Sequence, residues 1–201
     1  MYLEGTRDGE RFISVLKDVS ARKPVVIWKG GRTEEGERAI ASHTGSLAIS
    51  RAVWDSAVKQ CGAVKVENVY ELIDTLKALI YLPPVRGDRV GITGGSGGQS
   101  VAVADVVAEA GLKAPLLTQE SYNELATFYT LIGGGYRNPV DTGNVNRREI
   151  KRIMGILERD ANVDNLMLLL WTRLLSSGQL ENHVNAAIDI RKITSKPMLA
   201  I

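Results

Sequence analysis

Val25-Val26-Ile27-Trp28 is an unbroken apolar run of strand length, closed by Pro24 on one side and by Gly30-Gly31 on the other. A strand with one face in water alternates apolar and polar residues. A run without alternation suits a strand buried on both faces, as in parallel sheets covered by helices. The same signature returns at Arg89-Val90-Gly91-Ile92-Thr93, at Asn165 to Trp171 and at Met198 to Ile201, with shorter pieces at Tyr2-Leu3 and Ala63 to Val66.

Helical periodicity fills the intervals. Phe12, Val15, Leu16 and Val19 recur along a segment that ends at Arg22-Lys23 and is stopped by Pro24. Leu47, Ala48, Val53, Trp54 and Ala57 line one side of a helix expected from about Ser46 to Gln60, with Gly62 as its stop. Leu72, Ile73, Leu76, Leu79 and Ile80 mark a helix over Val69 to Ile80, after which Leu82-Pro83-Pro84-Val85-Arg86-Gly87 breaks the pattern. Further helices are expected over Val101 to Ala110, closed by Gly111, over about Arg147 to Arg159, and over about Gln179 to Ile193. Strands and helices alternating through short connections predict mainly parallel, doubly wound α/β sheets. We expect two successive units of the flavodoxin type, over residues 1–82 and 88–201, joined by a linker at 83–87. The chain starts inside a strand and finishes on one, and open sheets need covered edges. Missing strands, and a first unit that is incomplete, are therefore expected.

Composition narrows the function. With 44% hydrophobic and 24% charged residues, the 201-residue chain has an ordinary globular make-up. Its 25 Lys and Arg against 23 Asp and Glu leave a net charge of +2, too even for the basic field of sequence-independent nucleic-acid binding. Cys61 is the single cysteine, so no internal disulfide and no thiol metal site are expected. The longest apolar run, Leu166 to Trp171, falls far short of the roughly 20 residues that span a bilayer. A reducing, cytoplasmic setting without membrane or nucleic-acid partners is the expectation.

Three stretches can carry chemistry. Ala41-Ser42-His43-Thr44-Gly45-Ser46 reads as a loop after a buried strand and before a helix. In open α/β sheets the binding crevice lies beyond the carboxyl ends of the strands. An imidazole there can take up a phosphoryl group and pass it on, and the small Ser42, Thr44 and Gly45 leave room for it. Taken bare, a loop histidine is more often solvated than catalytic, and His183, within a helix, is structural or solvent-facing by default. In Gly94-Gly95-Ser96-Gly97-Gly98-Gln99-Ser100 a strand ends and a helix begins. Exposed N–H groups and the positive end of the helix would receive an anion there, although a tight turn that merely needs glycine explains the stretch equally well. No Lys-Ser/Thr pair follows the glycines, and Ser100 stands where a dinucleotide fingerprint has its third glycine, which disfavours free nucleotide binding. Glu4, directly after the first strand, would project into the same crevice and could fix the imidazole tautomer; its plainer role is a charge at a helix N-terminus. Lys29, Arg32 and Arg38 are anion contacts or solvated charges, the solvated reading being favoured. The loop Gly133-Gly134-Gly135-Tyr136-Arg137-Asn138-Pro139-Val140-Asp141 enters a strand without a clear chemical role.

Taken together, these residues resemble the NDP-forming acyl-CoA synthetases, the family of ADP-forming acetate–CoA ligase, related to succinyl-CoA synthetase. The resemblance runs along essentially the whole chain: Tyr2-Leu3-Glu4-Gly5 with Arg7-Asp8-Gly9, Lys23-Pro24-Val25-Val26, Gly31-Arg32-Thr33, Ser42-His43-Thr44-Gly45 and Asn138-Pro139-Val140-Asp141, in that order. It implies that His43 is the phosphorylated histidine, that Glu4 contacts it, and that the turn at Gly94 to Gln99 starts one of two helices whose N-termini face it. The implied reaction converts acyl-CoA, phosphate and ADP reversibly to free acid, CoA and ATP through an acyl phosphate and phosphorylated His43. ATP or ADP with Mg²⁺, and CoA, are then substrates rather than tightly held cofactors.

Nothing in the chain resembles the family's CoA-binding domain, the first half of its first ligase domain or its ATP-grasp domain. Those parts, in the same polypeptide or in a partner subunit within an oligomer, are expected to bind most of the substrates, and the chain alone is expected not to turn over. Two other classes stand beside this one. A non-catalytic acyl-CoA- or phosphate-binding regulatory module would keep the fold but has no need of the Glu4 and His43 pair. An independent binder of a phosphorylated small molecule rests only on the Gly-rich turn.

Overall fold

A computed structural model describes residues 1–44, 50–95, 97–128, 137–142, 147–170 and 177–201, with side chains at all of these except 43–44, 147–148, 177–180 and 182–183. The chain divides into two compact units, Met1–Tyr81 and Leu82–Ile201.

The first unit follows the order β1 (Tyr2–Leu3), α1 (Gly9–Ser20), β2 (Val26–Lys29), α2 (Glu34–Thr44), α3 (Arg51–Gln60), β3 (Val64–Val66) and α4 (Val69–Tyr81). Its sheet runs β1-β2-β3, all parallel, with Tyr2 beside Trp28 and Val26 beside Val64. Asp8 caps α1 by accepting from the Arg11 N–H at 3.0 Å, which satisfies one of the free donors of the first turn. Alternate residues of β2 face opposite ways, and both faces are covered. Val25 and Ile27 join Leu16 of α1 with Trp54, Val58 and Cys61 in one core, while α4 lies on β2 and β3. Phe12 stacks on Trp54 at 5.6 Å between ring centroids, locking α1 to α3.

The second unit repeats the theme: β4 (Val90–Thr93), α5 (Gly97–Glu109), α6 (Gln119–Ala126), α7 (Arg147–Arg159), β5 (Asn165–Leu168), α8 (Ser177–Lys192) and β6 (Met198–Ala200). Its sheet, β4-β5-β6, is again parallel. Val90, Ile92, Met167 and Leu169 pack with Val107 of α5; Leu166 and Leu168 pack on the other side with Ile153, Met154 and Leu157 of α7. Burial on both faces is why these strands carry no polar alternation. Gly91 belongs to the same logic, because a Cβ there would stand 2.9 Å from Val163 Cγ1.

The parallel, two-sided α/β architecture expected from the sequence is present in both units. Two helices were not expected. α2 occupies the stretch read as the loop around His43, and it starts with Thr33 Oγ1 accepting from the Gly36 N–H at 3.1 Å, followed by Glu34, Glu35 and Glu37 in its first turn. Acidic residues beside the positive end favour a helix even without an apolar stripe. α6 is a short helix capped by Thr118. α5 begins at Gly97 instead of Val101, so Gly97, Gly98 and Gln99 are its first turn and not part of the preceding loop. Among the described residues no helix is long and apolar enough to cross a membrane.

Candidate functional site

The carboxyl ends of β1 and β2 leave the first sheet side by side, and there the structure corrects the reading of Lys29. Its side chain is not solvated. Lys29 is 9% exposed, and its ammonium donates to the main-chain carbonyls of Glu4 at 2.7 Å and Gly30 at 2.5 Å. Burial pushes its pKa below the usual lysine range, with Glu37 and Glu4 pulling the other way. The physical reason is topological. Two parallel strands end together, their terminal carbonyls have no further ladder partner, and a cation with three donors is placed to satisfy them.

Glu4 therefore has its backbone fixed from below. Its carboxylate accepts from the Tyr2 hydroxyl at 3.2 Å on the exposed side. Burial, then the hydrogen bond to Glu4, holds the Tyr2 phenol above its ordinary value. Arg32 pairs with Glu67, whereas Arg38, among the described residues, pairs with exposed Glu35 at 3.3 Å and is solvated as expected.

His43 and Thr44 form the last residues of α2, so the backbone at the candidate nucleophile is helical rather than looped. Their side chains lie outside the described residues, as do Gly45, the expected helical residues Ser46 to Ile49, and the side chain of His183. The contact expected between Glu4 and His43 falls outside them too.

In the second unit, Gly94 and Gly95 follow β4, Ser96 lies outside the described residues, and Gly97, Gly98 and Gln99 open α5. Gly94 has φ +106°, and a Cβ there would collide with the Leu169 carbonyl, so only glycine fits. Gly98 faces open space. Gly97 does not: a Cβ on it would stand 3.0 Å from the Asp141 carboxylate oxygen. A carboxylate is thus already present at the start of this helix, where negative charge is favoured.

Asp141 is delivered there by the segment whose role the sequence left open. Asn138, joined to Pro139 by a cis peptide bond, accepts from the Ile92 N–H at 2.9 Å and donates to the Val90 carbonyl at 2.6 Å, both buried. Val140 then bonds Ile92 through the backbone at 2.8 Å, and Thr93 Oγ1 donates to the Val140 carbonyl at 3.0 Å. Asn138 and Val140 together act as the missing neighbour of β4. Gly133 to Tyr136, which precede them, lie outside the described residues. Among the described residues no three His, Cys, Asp or Glu side chains converge as metal ligands would.

Comparison with known proteins gives a consistent picture. Residues 1–79 match the family model described as the succinyl-CoA ligase like flavodoxin domain. The alpha subunit of ADP-forming acetate–CoA ligase II from Pyrococcus furiosus is 34% identical over 100% of this chain and 44% of its own length. The ADP-forming 4-hydroxybutyrate–CoA ligase of Nitrosopumilus maritimus is 35% identical over 79% of this chain and 22% of its own. Among solved structures, the dinucleotide-forming acetyl-coenzyme A synthetase 1 of Ca. Korarchaeum cryptofilum, in complex with phosphate and ADP, superposes with a TM-score of 0.81 at 33% identity, covering 99% of this chain and 43% of that one. The chain spans less than half the length of these relatives.

Proposed function

We propose, from the premise that this chain belongs to the ADP-forming acyl-CoA ligases with a succinyl-CoA ligase like flavodoxin domain, that it carries the phosphohistidine segment of such an enzyme. The observation that supports this most is the match along all of the chain to an acetate–CoA ligase alpha subunit, in a sequence that carries Ser42-His43-Thr44-Gly45 and Glu4.

On this reading residues 1–82 are the C-terminal part of a first ligase domain, and 88–201 form a second. Acyl-CoA and phosphate give an acyl phosphate and CoA. A ring nitrogen of His43 attacks that phosphorus; the N–P bond forms as the P–O bond to the acyl group breaks, and the carboxylate leaves. ADP then attacks the phosphohistidine, giving ATP and the free imidazole. Glu4 accepts a hydrogen bond from the other ring nitrogen and so fixes the tautomer. The backbone N–H groups of Gly97, Gly98 and Gln99, with the turn from Gly94, receive the phosphoryl charge. Thr44 and Gly45 keep the space beside the ring open. CoA, and ATP or ADP with Mg²⁺, are substrates held mainly by a CoA-binding and an ATP-grasp domain or subunit, in an oligomeric cytoplasmic enzyme.

The test is to incubate the chain with γ-labelled ATP, Mg²⁺ and an ATP-grasp partner. An acid-labile, base-stable label is expected on the wild type and none on His43→Ala. A label that survives His43→Ala, or none with a competent partner, overturns the reading and favours a binding module.

A further inference from the structure

The first unit holds a second arrangement that phosphoryl relay leaves unused. A small cleft of about 30 Å³, partly open to solvent, lies among Lys29, Arg32, Arg51, Trp54, Lys65 and Glu67 at the carboxyl edge of β2 and β3. Three of its four cations are already committed to carboxylates. Glu67 takes Arg32, Arg51 at 3.4 Å and Lys65 at 2.7 Å; Asp55 takes Lys65 at 2.8 Å and Arg51 at 3.8 Å. Lys29 differs from them. Among the described residues its two hydrogen bonds end on neutral carbonyls, which leaves the third ammonium N–H over. Glu37 is the remaining carboxylate of the lining, so four cations face three anions.

Beside Lys29 stands an unpaired donor. The Lys29 nitrogen is 5.9 Å from the centroid of the Trp54 ring, and Trp54 is only 5% exposed. Its indole Nε1–H is buried and has no hydrogen-bond partner among the described residues. Buried donors are almost always paired, so one left over in a cleft marks a place for an acceptor that arrives from outside. A neutral acceptor would satisfy the indole alone, whereas an anion satisfies the indole and the surplus charge together. The helix adds to the same sign. α3 carries Arg51 and Trp54 in its first turn, and its N-cap residue Ser50 makes no side-chain hydrogen bond to that turn.

We propose that this cleft is an anion site that takes a small oxyanion, inorganic phosphate or a short carboxylate, held by Lys29 and the Trp54 indole N–H with exposed Arg51 at its rim. Filling it raises the Lys29 pKa toward its ordinary value, since a bound anion adds to Glu37 and Glu4 in opposing the burial that lowers it. The site is independent of His43: either reading can fail while the other stands.

The indole N–H resonances of the 201-residue chain, which has three tryptophans, report on it directly. In a ¹⁵N-labelled sample, Trp54 is assigned with Trp54→Phe, which keeps an aromatic ring against Phe12. The chain is then titrated separately with inorganic phosphate and with acetate at constant ionic strength. The expected result is a saturable shift of the Trp54 resonance, with Trp28 and Trp171 unmoved and binding about tenfold weaker in Arg51→Gln, the scale of one charge-assisted hydrogen bond. Saturation by phosphate alone identifies a phosphate site, and by acetate alone a carboxylate site. A Trp54 resonance that both ions leave unmoved to tens of millimolar, or a shift unaltered by both Arg51→Gln and Lys29→Met, overturns the proposal.

Discussion

The two sheets share strand order and parallel pairing but close their strand ends with opposite chemistry. In the first unit a buried ammonium, Lys29, ties the ends of β1 and β2, and further cations surround it. The second unit uses a neutral amide, Asn138, along β4 and brings a carboxylate, Asp141, to the helix that follows. One architecture therefore presents a cationic edge in one copy and an acidic helix start in the other. What the fold supplies is a place where strand ends and helix N-termini meet; the residues set there decide what charge it can receive.

That contrast can be broken most forcefully at Asn138. Asn138→Ala leaves the Ile92 N–H and the Val90 carbonyl buried and unpaired, and is expected to destabilise the second unit by about 2–4 kcal/mol. Hydrogen exchange at the Ile92 amide should accelerate accordingly, while exchange in β2 stays unchanged. Equal acceleration in both units would show that the two edges are not separately maintained.

A smaller effect separates the units by pH. Asp164 receives the Arg89 side chain at 2.7 and 2.8 Å, and those hydrogen bonds hold its carboxyl below the ordinary range. A carboxyl depressed on folding contributes stability that is present above its unfolded pKa and is lost as pH falls through the folded one. Asp164→Asn should lower stability at neutral pH by about 1 kcal/mol, the scale of a partly exposed pair, and flatten the acid side of the profile. Lys29 acts on the alkaline side. Its folded pKa lies below the unfolded value, so between the two the unfolded chain binds more protons and stability rises with pH. Lys29→Met should remove that rise. Denaturant melts at a series of pH values read both limbs, and a lost alkaline rise in Asp164→Asn would contradict the assignment.

The smallest change is expected at the helix start. Asp141→Asn removes the charge beside Gly97, so phosphate should shift the Gly97 and Gly98 amides at two- to fivefold lower concentration, about 0.3–1 kcal/mol of helix-end electrostatics. Unchanged or weaker binding would mean that Asp141 orders the turn and does not compete for it.

Particular residues show how much of this the sequence carried. The strands were legible because both faces are buried, which turns alternation into unbroken runs such as Val25 to Trp28. α7 was legible because Ile153, Met154 and Leu157 repeat at helical spacing, and its bounds agree with the expected Arg147 to Arg159. α2 was not, since its helix-forming signal lies in Thr33 and the following glutamates rather than in an apolar stripe. α6 is eight residues long and buries only Ser121 and Leu125, too little for periodicity to register. Lys29 and Asn138 were beyond reach for another reason. Each serves a backbone partner far away in sequence, and residue type alone assigns both to the surface. The Ser-His-Thr-Gly motif was readable as a family likeness, but the helical backbone of Ser42 to Thr44 was not.

The central claim rests on a nitrogen–phosphorus bond at one residue, and ³¹P NMR of the chain after treatment with ATP, Mg²⁺ and an ATP-grasp partner observes that bond directly. The account predicts a phosphoramidate resonance that disappears in acid, persists in base and is missing from His43→Asn. A phosphate-ester or acyl-phosphate resonance in its place, or a phosphoramidate that remains in His43→Asn, would contradict it.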